Sequence, residues 1–340
     1  TAAIDARAAP SRGSAVTPTP TAHLLAMKLP CSRAATLLCI TAAATLAACV
    51  DAPPDDDLGE SEQWVEGGTL ASAGKLARAA KLRNCTATRI SPRHVITALH
   101  CRPAVGDKVQ FYAAGPFPDG TTRKVAAVTT PPGTSFTSTS YDWTDTSDRI
   151  ADIAVLTLDN PDTTGAVATL AWTYPGIEVA GVKVGAGQHE DNPALSGLLM
   201  NKSDLTWSDS DAKGGFYTEE FALNDGDSGG AFYVGPKLLG VTHGAHLLGV
   251  WRGRFTSVPA HLSFILSAIG YAWPGDAPEE RVRSGAIIGT STGTHKSCQY
   301  ACDNTSGCVA YSYLVALSSC SLLGSVTGSA PSSSFRSALR

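Results

Sequence analysis

The sequence predicts an all-β barrel or sandwich followed by a compact, cysteine-stapled unit. Three observations carry that reading. Residues 64–271 run as short β-type stretches separated by Gly, Pro, Asn and Asp. One segment near the end of this region, 258–269, spaces Val258, Leu262, Ile265, Leu266 and Ile269 as a helix packing one face on a core does. Beyond residue 282, Cys298, Cys302, Cys308 and Cys320 crowd into a span too small to rest on a hydrophobic core alone.

Taken in order, residues 1–26 precede the start at Met27 and read as unstructured upstream sequence. Met27, Lys28 and Arg33 open a short basic stretch, and 34–48 is an unbroken run of apolar and small residues. Its 15 residues are too few to span a bilayer and fit the apolar region of a signal peptide over 27–48. The run ends in Leu46-Ala47-Ala48-Cys49, which resembles the lipobox of bacterial lipoproteins. That resemblance implies cleavage before Cys49 and lipid on its sulfur, with Cys31 and Cys39 leaving with the signal. The plain alternative is a buried helix with a chance cysteine. Each buried CH₂ of an acyl chain contributes about 0.8 kcal/mol, so several chains hold a protein on a membrane. Residues 49–63, rich in Pro and Asp, form a solvated tether. Val50 after the cysteine favours the outer membrane or cell surface. No other stretch is long and apolar enough to cross a membrane.

The next region, 64–272, is the main domain. Residues 108–113 and 124–128 form a strand pair joined across Pro118-Asp119-Gly120, 177–184 alternates, and 238–242 is a further apolar run. Residues 273–282, with Pro274, Gly275 and Pro278, read as a linker. The last unit is 283–340. Composition is ordinary, with 43% hydrophobic and 16% charged residues, and the net charge of -4 does not favour a nucleic-acid backbone as partner.

The chemistry concentrates in Gly226-Asp227-Ser228-Gly229-Gly230. Glycines on both sides of the serine allow a tight turn and close approach of a substrate. A hydroxyl beside the converging amides of Gly226 and Ser228 suits acyl transfer, because the amides hold the oxyanion formed on attack. This stretch resembles the nucleophile loop of trypsin-like (chymotrypsin-fold) serine proteases. Val95-Ile96-Thr97-Ala98-Leu99-His100-Cys101 resembles the family's histidine segment, with Leu99 where alanine is usual, and Asp152-Ile153-Ala154-Val155-Leu156 resembles its aspartate segment. The order His100, Asp152, Ser228 is the chymotrypsin order.

The resemblance implies two six-stranded barrels with the triad at their junction, a closing C-terminal helix, and a disulfide from Cys85 to Cys101 around the histidine loop. It also implies a substrate pocket with Ala222 at its floor, Leu223 beside it, and Gly244 and Gly253 at its walls. The absence of an aspartate at 222 points to an uncharged P1 side chain. Asn224 replaces a cysteine usual in the family, leaving the pocket wall to packing alone. His243 and His246 lie on the strand and loop beside the pocket, within range of an acidic P1 residue, although Thr242 occupies the position glutamate-specific relatives use. Two histidines without a third ligand do not make a metal site, and no cofactor is expected. Val65-Glu66-Gly67-Gly68 is a poor echo of the family's activation junction, so either processing occurs there or Asp227 finds another partner than a new N-terminal amine.

Cys308-Val309-Ala310-Tyr311-Ser312-Tyr313 and Cys320-Ser321-Leu322 resemble the apple/PAN fold. That resemblance implies the pairs Cys298–Cys320 and Cys302–Cys308, a helix across a small sheet, and a protein or carbohydrate ligand, with a ligand-free structural appendage as the alternative. The whole chain then reads as an exported, lipid-anchored serine endopeptidase acting on proteins or peptides. The other reading is a binding or adhesion protein whose protease domain is a non-catalytic scaffold.

Overall fold

The computed structural model describes residues 68–113, 115, 117–134, 151–188, 198–208, 214–220, 222–248 and 250–340. The expected signal segment, Cys49 and the tether lie outside the described residues. A short strand β1 (Thr69–Leu70) and a single helical turn α1 (Ala73–Leu76) lead into the first barrel. Its strands are β2 (Ala79–Leu82), β3 (Cys85–Ser91), β4 (His94–Thr97), β5 (Lys108–Phe111), β6 (Thr122–Thr129) and β7 (Ala154–Leu158). They close in the order β2-β3-β4-β7-β6-β5, with β2 returning to pair β5.

The two-residue period of a strand explains how β7 serves two cores. Ala154, Leu156 and Leu158 fill the first barrel, while Ile153 and Val155 join the cluster that runs to the second barrel and the helices. Full burial of each such leucine contributes about 1.5–3 kcal/mol. Leu99, the departure from the family's alanine, packs into the first barrel beside Leu82 and Val95.

A two-residue strand β8 (Thr169–Leu170) precedes the second barrel. That barrel comprises β9 (Ala180–Gly185), β10 (Met200–Ser208), β11 (Gly215–Thr218), β12 (Ala231–Val234), β13 (Lys237–Leu248) and β14 (Val250–Ser257). The sheet runs β10-β11-β14-β13-β12-β9, and β9 pairs β10 to close it; β1 flanks β10, and β8 lies parallel to β13. Phe216, Phe232 and Phe255 fill its interior with ring centroids 5.1–5.5 Å apart. Such aromatic pairs contribute about 0.5–1.5 kcal/mol each beyond their burial.

The expected hairpin at 108–128 is present as β5 and β6. The strand expected from 177 starts only at Ala180, because Gly176 (φ 107°) and Glu178 (φ 57°) take left-handed backbone that no strand accepts. The run at 238–242 belongs to a strand continuing to Leu248, so His246 lies on strand and not in a loop. The helix α2 (Val258–Ala268) starts where expected, capped by Ser257, whose hydroxyl accepts the Ala260 amide, and it buries Val258, Leu262, Ile265 and Leu266.

The C-terminal unit pairs β15 (Arg281–Ser284) with β19 (Gly328–Pro331). Its second sheet has the order β16-β18-β17-β20, from β16 (Ile287–Thr292), β17 (Ala310–Leu314), β18 (Ser319–Leu323) and β20 (Phe335–Leu339). Helix α3 (His295–Asp303) is stapled to β18 by Cys298–Cys320 and to the following loop by Cys302–Cys308. The Tyr300 hydroxyl accepts the Leu170 amide at 3.0 Å, and its ring meets Trp172 and Tyr271 edge-on. The core of this unit therefore merges with that of the barrels, which is how so small a unit buries enough apolar surface. The stretch expected as a linker is tied down: Trp273 packs against Tyr311, and the Asp276 and Glu279 amides bond to Leu339 and Ser337.

Candidate active site

His100 sits in a 3-10 turn, Leu99–Cys101, directly after β4. The Cys85–Cys101 disulfide ties that turn to the start of β3. Closing a loop of this length stabilises by about 3 kcal/mol in the chain-entropy account. Asp152 lies just before β7, and its backbone carbonyl accepts the Thr256 hydroxyl of β14 at 3.0 Å. The aspartate is thereby fastened to both barrels.

The two side chains meet closely. His100 Nδ1 lies 2.6 Å from Asp152 Oδ2, and the His100 amide donates to Oδ1 at 2.8 Å. An ionised carboxylate only accepts, so Nδ1 carries the proton and Nε2 is left with its lone pair. Burial of the His100 ring disfavours its cation, but the Asp152 charge and hydrogen bond outweigh this and raise its pKa above the ordinary value. Burial likewise opposes ionisation of Asp152, yet His100 foremost, together with the hydrogen bonds that His100 and His243 donate, holds it well below the usual carboxylate range.

Ser228 sits in the loop before β12 and is 3% exposed. The loop's shape requires its glycines: Gly226 and Gly229 take φ of 102° and 80°, and a side chain at Gly229 would strike Thr97 and the Thr86 carbonyl. The amides of Asp227, Gly229 and Gly230 are spent on the carbonyls of Asn224, Thr242 and Asp227. Thr86 stitches this loop to the first barrel. Its amide donates to the Ser228 carbonyl at 2.8 Å, its hydroxyl donates to the Gly226 carbonyl at 2.9 Å, and the same hydroxyl accepts the Ala186 amide at 3.0 Å. Since Thr86 follows Cys85 and Cys101 follows His100, a short chain of bonds links the serine loop to the histidine turn.

Asp227 answers the question of the activation partner in part. Its carboxylate accepts the Gly187 amide at 2.8 Å and the Asn224 amide at 2.9 Å. Burial pushes its pKa up to about 6, against those two bonds and the charges of Lys81 and Lys183. Asn224, expected to leave the loop to packing alone, is therefore held by this carboxylate.

Of the expected pocket residues, Ala222 packs against Leu198 and Met200, and Leu223 joins the aromatic core of the second barrel. Gly253 opposes Thr218 on β11 and lies close to Lys183 and the Glu220 carbonyl. The Lys183 ammonium donates to that carbonyl at 2.6 Å and pairs with Asp204 in a fully buried site. Gly244 opposes Arg254. His243, expected beside the pocket, turns toward the triad aspartate of the sequence reading: its Nδ1 lies 2.9 Å from Asp152 Oδ2. Among the described residues no cluster of three His, Cys, Asp or Glu side chains could hold a metal. Sequence reasoning missed Thr86, Arg254 and the turn of His243 toward Asp152. A threonine within a β-run carries no sign of its partner, and a bulge that re-aims a histidine leaves none either.

Comparison with known proteins agrees with this architecture. A family model described as Trypsin matches residues 67–269. Among solved structures, the mouse protein titled "neuropsin, a serine protease expressed in the limbic system of mouse brain" superposes with a TM-score of 0.50 at 17% identity, covering 59% of this chain and 98% of that one. Among curated protein sequences no relative matches. The neuropsin likeness speaks to fold alone. A family match over more than half of the chain, on a double barrel of this topology, makes this chain a member of the trypsin family of serine proteases.

Proposed function

We propose that this protein is an exported endopeptidase in which His100, Asp152 and Ser228 form the catalytic triad. The observation that carries the reading is the double grip of Asp152 on His100, through Nδ1 at 2.6 Å and the backbone amide at 2.8 Å. That grip fixes the tautomer in which Nε2 is a base. In the reaction His100 Nε2 takes the Ser228 hydroxyl proton as Oγ attacks the scissile carbonyl, and the Gly226 and Ser228 amides receive the oxyanion. The imidazolium passes its proton to the departing amine, and an acyl-serine remains. Water, deprotonated by the same nitrogen, then cleaves the ester and restores the hydroxyl. Asp152 stays ionised throughout and stabilises the imidazolium.

An uncharged P1 side chain fits Ala222, which supplies no carboxylate for a basic one. The three disulfides suit an oxidising compartment and support export. Lipid on Cys49 anchors the protein to a membrane, and residues 283–340 form an apple/PAN-like module that binds protein or carbohydrate.

A peptide-library digest with a Ser228→Ala control tests activity and P1 preference together. The account expects cleavage after uncharged residues and at least about a 10⁴-fold loss in the variant. Equal turnover by both proteins, or none by either after trial processing near Val65, would favour the scaffold reading. For the anchor, wild type should pellet with membranes and Cys49→Ala should not; equal solubility defeats it.

A further inference from the structure

We propose that His243 is a positioning residue for the triad: a permanently neutral second imidazole that shares Asp152 with His100. The inference rests on the catalytic reading above and adds to it a residue that the triad does not include.

The register of the second barrel explains how His243 reaches a first-barrel carboxylate. On β13, Thr242 opposes Phe255 and Gly244 opposes Arg254, so His243 is the extra residue of a bulge. A bulge re-aims the side chain it carries, and bulges are common next to active sites. Thr242, its neighbour, exchanges hydrogen bonds with the nucleophile loop, donating to the Gly230 carbonyl and accepting the Gly229 amide. His243 is thus built onto the same rigid piece as Ser228.

Hydrogen-bond bookkeeping sets its protonation. Nδ1 faces Asp152 Oδ2 at 2.9 Å, and Nε2 faces Arg254 Nη1 at 3.3 Å. A carboxylate only accepts and a guanidinium only donates, so Nδ1 bears the proton and Nε2 bears none. Among the described residues, the titratable and charged groups facing this ring are Asp152 just before β7, His100 in its turn and Arg254 on β14. Burial disfavours the cation first of all; Asp152 opposes that, and Arg254 and His100 reinforce it, so the pKa falls below the ordinary value. The two rings are 5.7 Å apart between centroids, close enough that a second cation would oppose protonation of His100. A neutral donor avoids that conflict. It completes the Oδ2 coordination that orients His100 while leaving the carboxylate's charge to the imidazolium formed in the reaction.

The test is the pH dependence of kcat/KM for wild type, His243→Ala, His243→Asn and Arg254→Met, each first checked for folding by thermal melting and for a reactive Ser228 by fluorophosphonate labelling. His243→Ala is expected to lower kcat about tenfold with KM little changed, and to move the acid limb to higher pH, because Asp152 then concentrates its charge on His100. His243→Asn, whose amide can donate without titrating, recovers most of kcat. Arg254→Met frees Nε2, so His243 can protonate and the acid limb steepens from one proton toward two. A His243→Ala limb unmoved from wild type, no better rate in His243→Asn, or an Arg254→Met limb of one proton overturns the proposal. If wild type itself fails to label at Ser228, the catalytic reading fails instead, and the two failures are told apart.

Discussion

Two buried carboxylates stand at the junction of the barrels, Asp152 at 5% exposure and Asp227 at 2%, and they have been put to opposite uses. Asp152 is met by imidazole N–H groups, one of which can become a cation, and is held ionised. Asp227 is met by two backbone amides, and burial pushes it up to about 6. Burial pushes both carboxyls the same way. The donors decide the outcome: imidazoles, one of which can take a proton, hold a carboxylate ionised, whereas fixed amides leave it raised and make it a clamp for the loop that carries Ser228.

The largest expected effect breaks the first of these. Asp152→Asn keeps the shape but offers His100 a donor in place of an acceptor; kcat should fall about 10⁴-fold, measured against a cleavable peptide, with folding retained. Next is Asp227→Ala, which strands the Gly187 and Asn224 amides. Each buried donor left unpaired costs about 1–3 kcal/mol, so chemical denaturation should show a loss of about 2–6 kcal/mol together with lower kcat.

The pH dependence of stability separates the pair without mutation. Asp227's folded pKa of about 6 lies above its unfolded 3.8, so between those values the folded state alone keeps the proton. Stability from this group is full below pH 3.8 and is lost as pH rises through 6, by about 3 kcal/mol at 1.36 kcal/mol per pKa unit. Asp152 has the reverse sign: its depressed pKa contributes stability above 3.8 that is lost as pH falls toward the folded value. Denaturation midpoints from pH 3 to 7 in wild type and Asp227→Ala should show the upper slope vanish in the variant. A smaller effect is expected from Thr86→Val, nearly isosteric, which deletes the hydroxyl bonded to Gly226 and Ala186; about 1–3 kcal/mol should be lost by the same measurement.

Much of this was legible in the sequence because it rests on local signals. Turn residues marked the strands, apolar spacing marked α2, and the cysteines named their own partners once a family resemblance was in hand. The meeting of His100 with Asp152 was legible because each sits in a short segment that resembles one of the family's. What escaped notice depends on pairing across long stretches of chain. Arg89 with Asp162 and Lys183 with Asp204 are buried ion pairs that composition alone would assign to the surface. The docking of Tyr300 on Leu170 turns a unit read as separate, beyond a linker, into part of a shared core. His243 was read only as lying beside the substrate pocket, because the one-residue bulge that turns it toward Asp152 is invisible to a two-residue period.

The central claim, that a base oriented by Asp152 activates one hydroxyl, is tested most directly by fluorophosphonate labelling with the modified residue mapped by mass spectrometry. The account predicts stoichiometric phosphonylation at Ser228 that collapses in His100→Ala while the fold persists. Labelling at another residue, or at Ser228 with equal speed in both proteins, would contradict it.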